Sequence, residues 1–207
     1  MTNLMLGTAV HGSDEPIGRL KALICDPTTD EITHLVVNAD EVPGSERLVP
    51  IEHLAHPRDD RLGLDISRHE FFELPTFETL RFFPVSRSSS SVGGAGDAEW
   101  HLPLFLSEPQ AMTFVPNERI PKSEIALRRG TEVFDENRHR LGRVHAFVVD
   151  PSSHDITHLV LEESHLLHRK DVAVPVDNID HMDETAIRLN IDAATVDRLP
   201  DLPLRRR

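Results

Sequence analysis

The chain has 207 residues, of which 39% are hydrophobic and 28% are charged, and its net charge is −13 at pH 7. This composition is too apolar for a disordered chain and too polar for a bundle of membrane helices. The negative charge also argues against nucleic acids as partners, because it repels phosphates and removes the counterion release that drives their binding.

The first predicted element is a β-hairpin. Leu20, Ala22 and Ile24 alternate with the residues between them, and a period of two is typical of a strand. The sequence DPTTD at 26–30 predicts a turn, since Asp bonds forward to the backbone and Pro fixes φ. The β-branched run at 32–37 predicts the returning strand.

Short strands and a helical turn are predicted after the hairpin. Extended segments are expected at 47–50 and 61–65. A short helix is expected at 67–74, because Ser67 is a good N-cap and Glu70 stands at the capping-box position.

The middle of the chain combines a flexible composition with many aromatic residues. Residues 86–96 are rich in Ser and Gly, which predicts a mobile stretch. Seven of the nine Phe and the only Trp lie between positions 71 and 114: Phe71, Phe72, Phe77, Phe82, Phe83, Trp100, Phe105 and Phe114. Because buried aromatic side chains stabilise a fold strongly, we expect the connection to fold back over neighbouring surface.

The hairpin sequence then returns. DPTTDEITHLVV at 26–37 is repeated as DPSSHDITHLVL at 150–161, and similar matches extend over 5–77 and 125–202 at a nearly constant offset. Strands are therefore also expected at 172–175 and 186–190, with an Asp-capped helix at 192–199.

We predict a mainly β chain with three parts: a first repeat at 1–80, a connecting segment at 81–122 and a second repeat at 123–207. Five or six short strands with one helical turn favour a small antiparallel barrel in each repeat. We expect two tandem barrels related by a pseudo-twofold axis, each with its own core.

The repeated string resembles a known family. The pattern G-R-[LV]-x-A, [IV]-x-D-P-x-[ST], I-T-H-L-V and V-P-[IV] is similar to that of the PRC-barrel family, the small β-barrel of the photosynthetic reaction centre H subunit and of the C-terminal part of the ribosome maturation factor. The resemblance implies a docking module with no catalytic residues and no cofactor.

The hairpins suggest an interface. Leu23 and Cys25 are predicted on the opposite strand face from Leu20, Ala22 and Ile24, and Phe147 and Val149 repeat this arrangement. A barrel has one inside, so the other apolar face needs a cover: the other repeat, the connection with Trp100 and Phe105, or a separate protein.

His34 and His158 correspond under the repeat. We expect them to be buried with a backbone hydrogen bond or to lie between the barrels, since no serine, cysteine or carboxylate recurs beside them as a catalytic partner. If their protonation separated the barrels, the protein would respond to pH.

No metal or phosphate site is expected. The pairs His53 with His56 and His165 with His168 do not correspond under the repeat. The glycines at 93–96 are not followed by the Lys and Ser or Thr of a phosphate-binding loop.

We therefore expect a non-enzymatic protein-interaction or scaffold module with a protein partner. The alternative is a membrane-peripheral accessory protein resembling the reaction centre H subunit. The absence of a long apolar run and of a signal peptide predicts a cytoplasmic protein without direct membrane insertion. Assembly into a homo-oligomer stays open.

Overall fold

The computed structural model describes residues 2–39, 45–58, 61–84, 112–163, 171–200 and 202. These residues are mainly β. The first repeat contains β1 (Thr2–Met5), β2 (Ala9–His11), β3 (Pro16–Asp26), β4 (Glu31–Asn38), β5 (Glu46–Pro50), β6 (Leu54–Arg58), β7 (Arg61–Leu64) and helix α1 (Arg68–Glu73).

The second repeat follows the same order. It contains β10 (Ile125–Arg128), β11 (Glu132–Phe134), β12 (Arg140–Val149), β13 (Ile156–Glu163), β14 (Asp171–Pro175), β15 (Ile179–Met182), β16 (Ala186–Leu189) and helix α2 (Ala193–Val196). A short 3₁₀ turn, at Ile51–His53 or Val176–Asn178, follows the fifth strand in each repeat. The connecting segment contributes β8 (Glu78–Pro84) and β9 (Met112–Glu118).

The repeats build two seven-stranded sheets with equivalent strand orders. One sheet runs β5-β4-β3-β2-β7-β6, and the other runs β14-β13-β12-β11-β16-β15. In each sheet one pair, β2 with β7 or β11 with β16, is parallel, and the other pairs are antiparallel. Among the described residues the two end strands of each sheet do not pair with each other.

The seventh strand of each sheet comes from the other repeat. β1 pairs with β12, from Thr2↔Val149 to Met5↔Ala146, and β10 pairs with β3, from Ile125↔Cys25 to Arg128↔Ala22. Gly7 and Gly130, with φ of 93° and 90°, make the turn after these strands, a conformation that costs glycine little. The first strand of each repeat is therefore exchanged with the other repeat.

The main hydrophobic core is common to both repeats. One continuous cluster of buried side chains includes Leu4, Leu23 and Val37 of the first repeat and Leu127 and Phe147 of the second. The expectation of two separate cores is therefore wrong. The physical reason is the strand exchange. It places Leu4 and Leu127 beside the long strand of the other repeat, on the face that points into the main core.

A β-bulge changes the predicted strand faces. Leu20 pairs with Val37 and Ala22 with Val36, so Lys21 is the extra residue; His145 is its equivalent in β12. Because an extra residue shifts the alternation by one position, Leu20 lies in the main core with Leu23 and not with Ala22. The predicted grouping of Leu20 with Ala22 and Ile24 is wrong for this reason.

The predicted turn and helix caps are present. Asp26 Oδ1 accepts a hydrogen bond from Thr28 N at 2.8 Å, and Asp150 Oδ1 accepts one from Ser152 N at the same distance. Ser67 and Glu70 form a reciprocal capping box at the start of α1. In α2 the carboxylate of Asp192 accepts from Thr195 N at 2.9 Å.

The described chain divides into two compact units. One contains both repeats, Met1–Phe77 and Arg119–Arg207, and the other is Glu78–Glu118. In the second unit β8 and β9 form a two-stranded antiparallel ribbon with Phe82 opposite Phe114. Trp100 and Phe105, which were predicted to help cover a barrel, lie outside the described residues, so the predicted folding-back of the connection stays a prediction.

Candidate functional site

The four hairpin residues predicted at an interface lie where strands of the two repeats meet. Leu23 and Cys25 are on β3 beside β10, and Phe147 and Val149 are on β12 beside β1. Each is at most 1% exposed and belongs to the shared core. These side chains are therefore buried between the repeats.

The other face of each hairpin is covered by residues that the repeat relates to each other. In the first repeat Ala22, Ile24 and Val36 pack with Phe77 and Ala126. Phe77 is fully buried, and its backbone N donates to Glu46 O at 2.9 Å.

In the second repeat Ala146, Val148 and Val160 pack with Met5 and Leu202. Leu202 is the equivalent of Phe77, and its N donates to Asp171 O at 2.9 Å. In both repeats the cover comes from the segment after the short helix and from the exchanged strand.

The two hairpin turns meet in a reciprocal contact. Glu31 and Asp155 form an isolated antiparallel bridge. Ile32 N donates to His154 O at 3.1 Å, and Ile156 N donates to Asp30 O at 2.9 Å. Such paired bonds are those expected of repeats related by a twofold axis.

This hairpin junction is acidic. Burial raises the pKa of Asp30, and the carboxylates of Asp155, Asp177 and Asp26 raise it further. Asp30 and its equivalent His154 both have left-handed backbone, with φ of 60° and 63°. The junction was not predicted from the sequence. The repeated phrase does differ there, because Asp30 of the first repeat corresponds to His154 of the second.

His34 and His158 are held by neighbouring hydroxyl groups. His34 Nδ1 lies 2.9 Å from Thr33 Oγ1, and His158 Nδ1 lies 3.1 Å from Thr157 Oγ1. Both histidines are half-buried. Their hydrogen-bond partner is thus a side-chain hydroxyl and not the expected backbone group.

The two threonines are bulge residues of β4 and β13. Thr157 Oγ1 donates to Val148 O at 3.0 Å, while Thr33 Oγ1 donates to Glu124 Oε2 at 2.5 Å. Glu124 thereby links the chain just before β10 to the first repeat. This contact was not predicted, because nothing in the local sequence around Glu124 indicates which strand β10 joins.

The single cysteine is unsuited to nucleophilic chemistry. Cys25 is fully buried. Burial, together with the nearby carboxylates of Asp30, Asp26 and Glu124, raises the pKa of its thiol to about 12. Because the thiolate is the reactive form, almost none of it is present near neutral pH.

Of the four histidines in the two closely spaced pairs, only His53 has a described side chain. His53 Nδ1 is 2.9 Å from Asp65 Oδ1, while the side chain of His56 and all of His165 and His168 fall outside the described part. In the part that is described, no three His, Cys, Asp or Glu residues come together as a metal-binding group. No helix there has the length and apolarity to cross a membrane.

A comparison with curated proteins finds no significant match to this chain. A comparison with family models finds the PRC-barrel domain at residues 125–198. The matched range begins at the first residue of β10 and ends just after α2. The second repeat is therefore similar in sequence to the PRC-barrel domain.

Proposed function

We propose that this chain is a non-catalytic protein-interaction module built from two PRC-type repeats. The main support for the proposal is that the histidines present in both repeats take part in structural contacts. His34 and His158 each form a hydrogen bond with a threonine at a β-bulge. The buried thiol of Cys25, with its raised pKa, adds to this argument.

The strand order of the first repeat supports the proposal that it is of the same type. Its sheet follows the sequence of strands seen in the matched second repeat, including the parallel pair and both bulges. Within the described residues, this strand order fits two small barrels that share one core and whose end strands do not pair. The two repeats then present one rigid surface to a partner.

The partner is a protein with a complementary, basic surface. The chain carries 35 acidic against 22 basic residues, and a negative surface accelerates encounter with positive partners. The same charge disfavours nucleic acids. Binding is expected to weaken as salt is raised, because exposed charges are screened over about 8 Å at physiological ionic strength.

Affinity purification of the tagged full-length chain followed by mass spectrometry tests the proposal. Recovery of a soluble partner protein at low salt, and loss of that partner at high salt, would support the proposed interaction module. A tagged unrelated protein of similar net charge is the control, since partners captured by both baits reflect charge alone. No enrichment over that control at any salt concentration would contradict the proposal.

The alternative is a membrane-peripheral accessory protein. It is supported by the resemblance of this chain's repeated sequence to the PRC-barrel family, which includes the barrel of the photosynthetic reaction centre H subunit. Recovery of an intact membrane complex by the same bait, surviving detergent extraction, would favour it over the soluble module. Elemental analysis of the pure protein adds a separate check, because stoichiometric metal would overturn the non-catalytic assignment.

A further inference from the structure

The described contacts that join the two repeats are made by residues of the repeats. They comprise the β1–β12 and β10–β3 pairs, the Glu31–Asp155 bridge and the shared core. None of these contacts uses the segment 78–118. Their geometry would be the same if the two repeats belonged to different molecules.

The connection is far longer than the junction requires. Arg119 N donates to Phe77 O at 2.7 Å, so the first repeat ends where the second one begins. The intervening segment 78–118 forms its own compact unit. At about 3.3 Å per residue, an extended chain of this length reaches more than about 100 Å.

The described part of the connection contains one pair of strands. It is the two-stranded ribbon of β8 and β9, and a two-stranded ribbon alone is marginally stable in water. Opening the ribbon and the Arg119–Phe77 hydrogen bond separates the ends of the connection. The repeats can then pair with repeats of another molecule without losing any contact between repeats.

We propose that this chain binds a second molecule of itself by repeat swapping, in which the first repeat of each molecule interlocks with the second repeat of the other. The occupant of the exchanged-strand interface is then a second molecule of the same chain. Each half of the dimer keeps the fold of the monomer, and two open connections cross between the halves.

Concentration decides between the two forms. The covalent connection gives the repeats of one molecule an effective concentration on the order of 1 mM, so the closed monomer dominates in dilute solution. The swapped dimer forms when unfolded chains fold together at high concentration. It then persists after dilution, because exchange requires opening a core that both repeats share.

The test uses two full-length forms of the chain, one with an N-terminal tag and one with a different C-terminal tag. Both carry a specific protease site in the Ser/Gly stretch at 86–96. The mixture is unfolded and refolded at about 1 µM and at about 0.5 mM, which lie well below and near the effective concentration. Light scattering after size exclusion gives the mass before and after cleavage.

The expected result is monomer after dilute refolding and an added dimer after concentrated refolding. Cleavage should halve the mass of the dimer, and both tags should then be recovered on one particle of monomer mass. A dimer that docks through its surfaces would keep its doubled mass after cleavage and would overturn the proposal. Absence of dimer at both concentrations, or separation of the cleaved repeats, would overturn it equally. A form with a scrambled protease site is the control for the cleavage.

Discussion

At the scale of single residues, the hairpin junction contains Asp30, whose ionised form is less favourable in the folded protein than in the unfolded chain. Burial raises the pKa of Asp30, and the carboxylates of Asp155, Asp177 and Asp26 raise it further. The folded protein therefore holds the Asp30 proton more tightly than the unfolded chain does. The ionised group costs stability above the raised pKa, and this cost disappears as the pH falls below the pKa of the unfolded chain.

Asp30→Asn should therefore stabilise the protein at pH 7. Asn removes the charge and accepts the left-handed backbone at φ 60°. The urea midpoint of the variant should exceed that of the wild type at pH 7, and the two should converge below about pH 3, where Asp is protonated in both states. Equal midpoints at pH 7 would contradict the raised pKa.

Asp150→Asn is the matched control with the opposite sign. Backbone hydrogen bonds from Ser152 and Ser153 lower the pKa of Asp150. A lowered pKa contributes stability above the unfolded pKa, which is lost as the pH falls through the folded one. This variant should be less stable than the wild type at pH 7, with the difference again vanishing in acid.

Gly18 is required where β3 passes close to another strand. A Cβ at this position would lie 1.9 Å from the backbone oxygen of Asn38. Gly18→Ala should lower the free energy of unfolding by about 3 kcal/mol or more, since backbone must move to relieve the clash. Gly63→Ala is the control, because its Cβ would meet Ala55 Cβ at an ordinary 3.5 Å. Similar losses in both variants, measured by urea unfolding, would refute this explanation.

Cys25 should react only after the core opens. Its thiol is fully buried, and its pKa is raised to about 12. Labelling by a thiol reagent at pH 8 should be at least about 100-fold slower in the folded protein than in urea. A chain with Cys25→Ala and Ser13→Cys places the thiol at an exposed position and should react at once. Fast labelling of folded wild type would contradict the burial.

At the scale of elements, the sequence predicted what depends on local chemistry. The hairpin turns, the Ser67 capping box and the Asp192 cap are confirmed, because each depends on residues a few positions apart. The bulge at Lys21 was missed. A single extra residue leaves apolar side chains on both sides of the strand, so the pattern alone does not locate it.

The partner of the first strand could not be predicted from the sequence for a different reason. β1 and β10 are equivalent, and so are β3 and β12. Pairing a strand within its own repeat or across to the other repeat therefore satisfies nearly the same side-chain pattern. The choice depends on chain geometry at the turns of Gly7 and Gly130, which periodicity does not describe.

The exchanged strands should carry much of the stability. Leu4 and Leu127 are fully buried in the shared core at equivalent positions. Leu4→Ala and Leu127→Ala should each cost about 2–5 kcal/mol through lost burial and the cavity left behind. Asn3→Ala, at an exposed position of β1, should change stability by less than about 0.5 kcal/mol. Chemical denaturation followed by circular dichroism gives all three values, and a small loss for either leucine would count against the pairing.

At the scale of the whole molecule, the two repeats fold together as one interlocked unit. A duplicated module was predicted to give two independent cores, but the strand exchange joins them into a single one. Neither repeat then contains all the strands of its own sheet. The chain is in effect a dimer of repeats held within one molecule, which explains how a long connection is tolerated between them.

The exchange itself is tested most directly by nuclear Overhauser effects between backbone protons of the first strands and the long strands. We expect cross-peaks from β1 to β12, near Asn3 and Val148, and from β10 to β3, near Ala126 and Ile24. Cross-peaks from β1 to β3 and from β10 to β12 would show that each repeat keeps its own first strand, and would contradict the exchange.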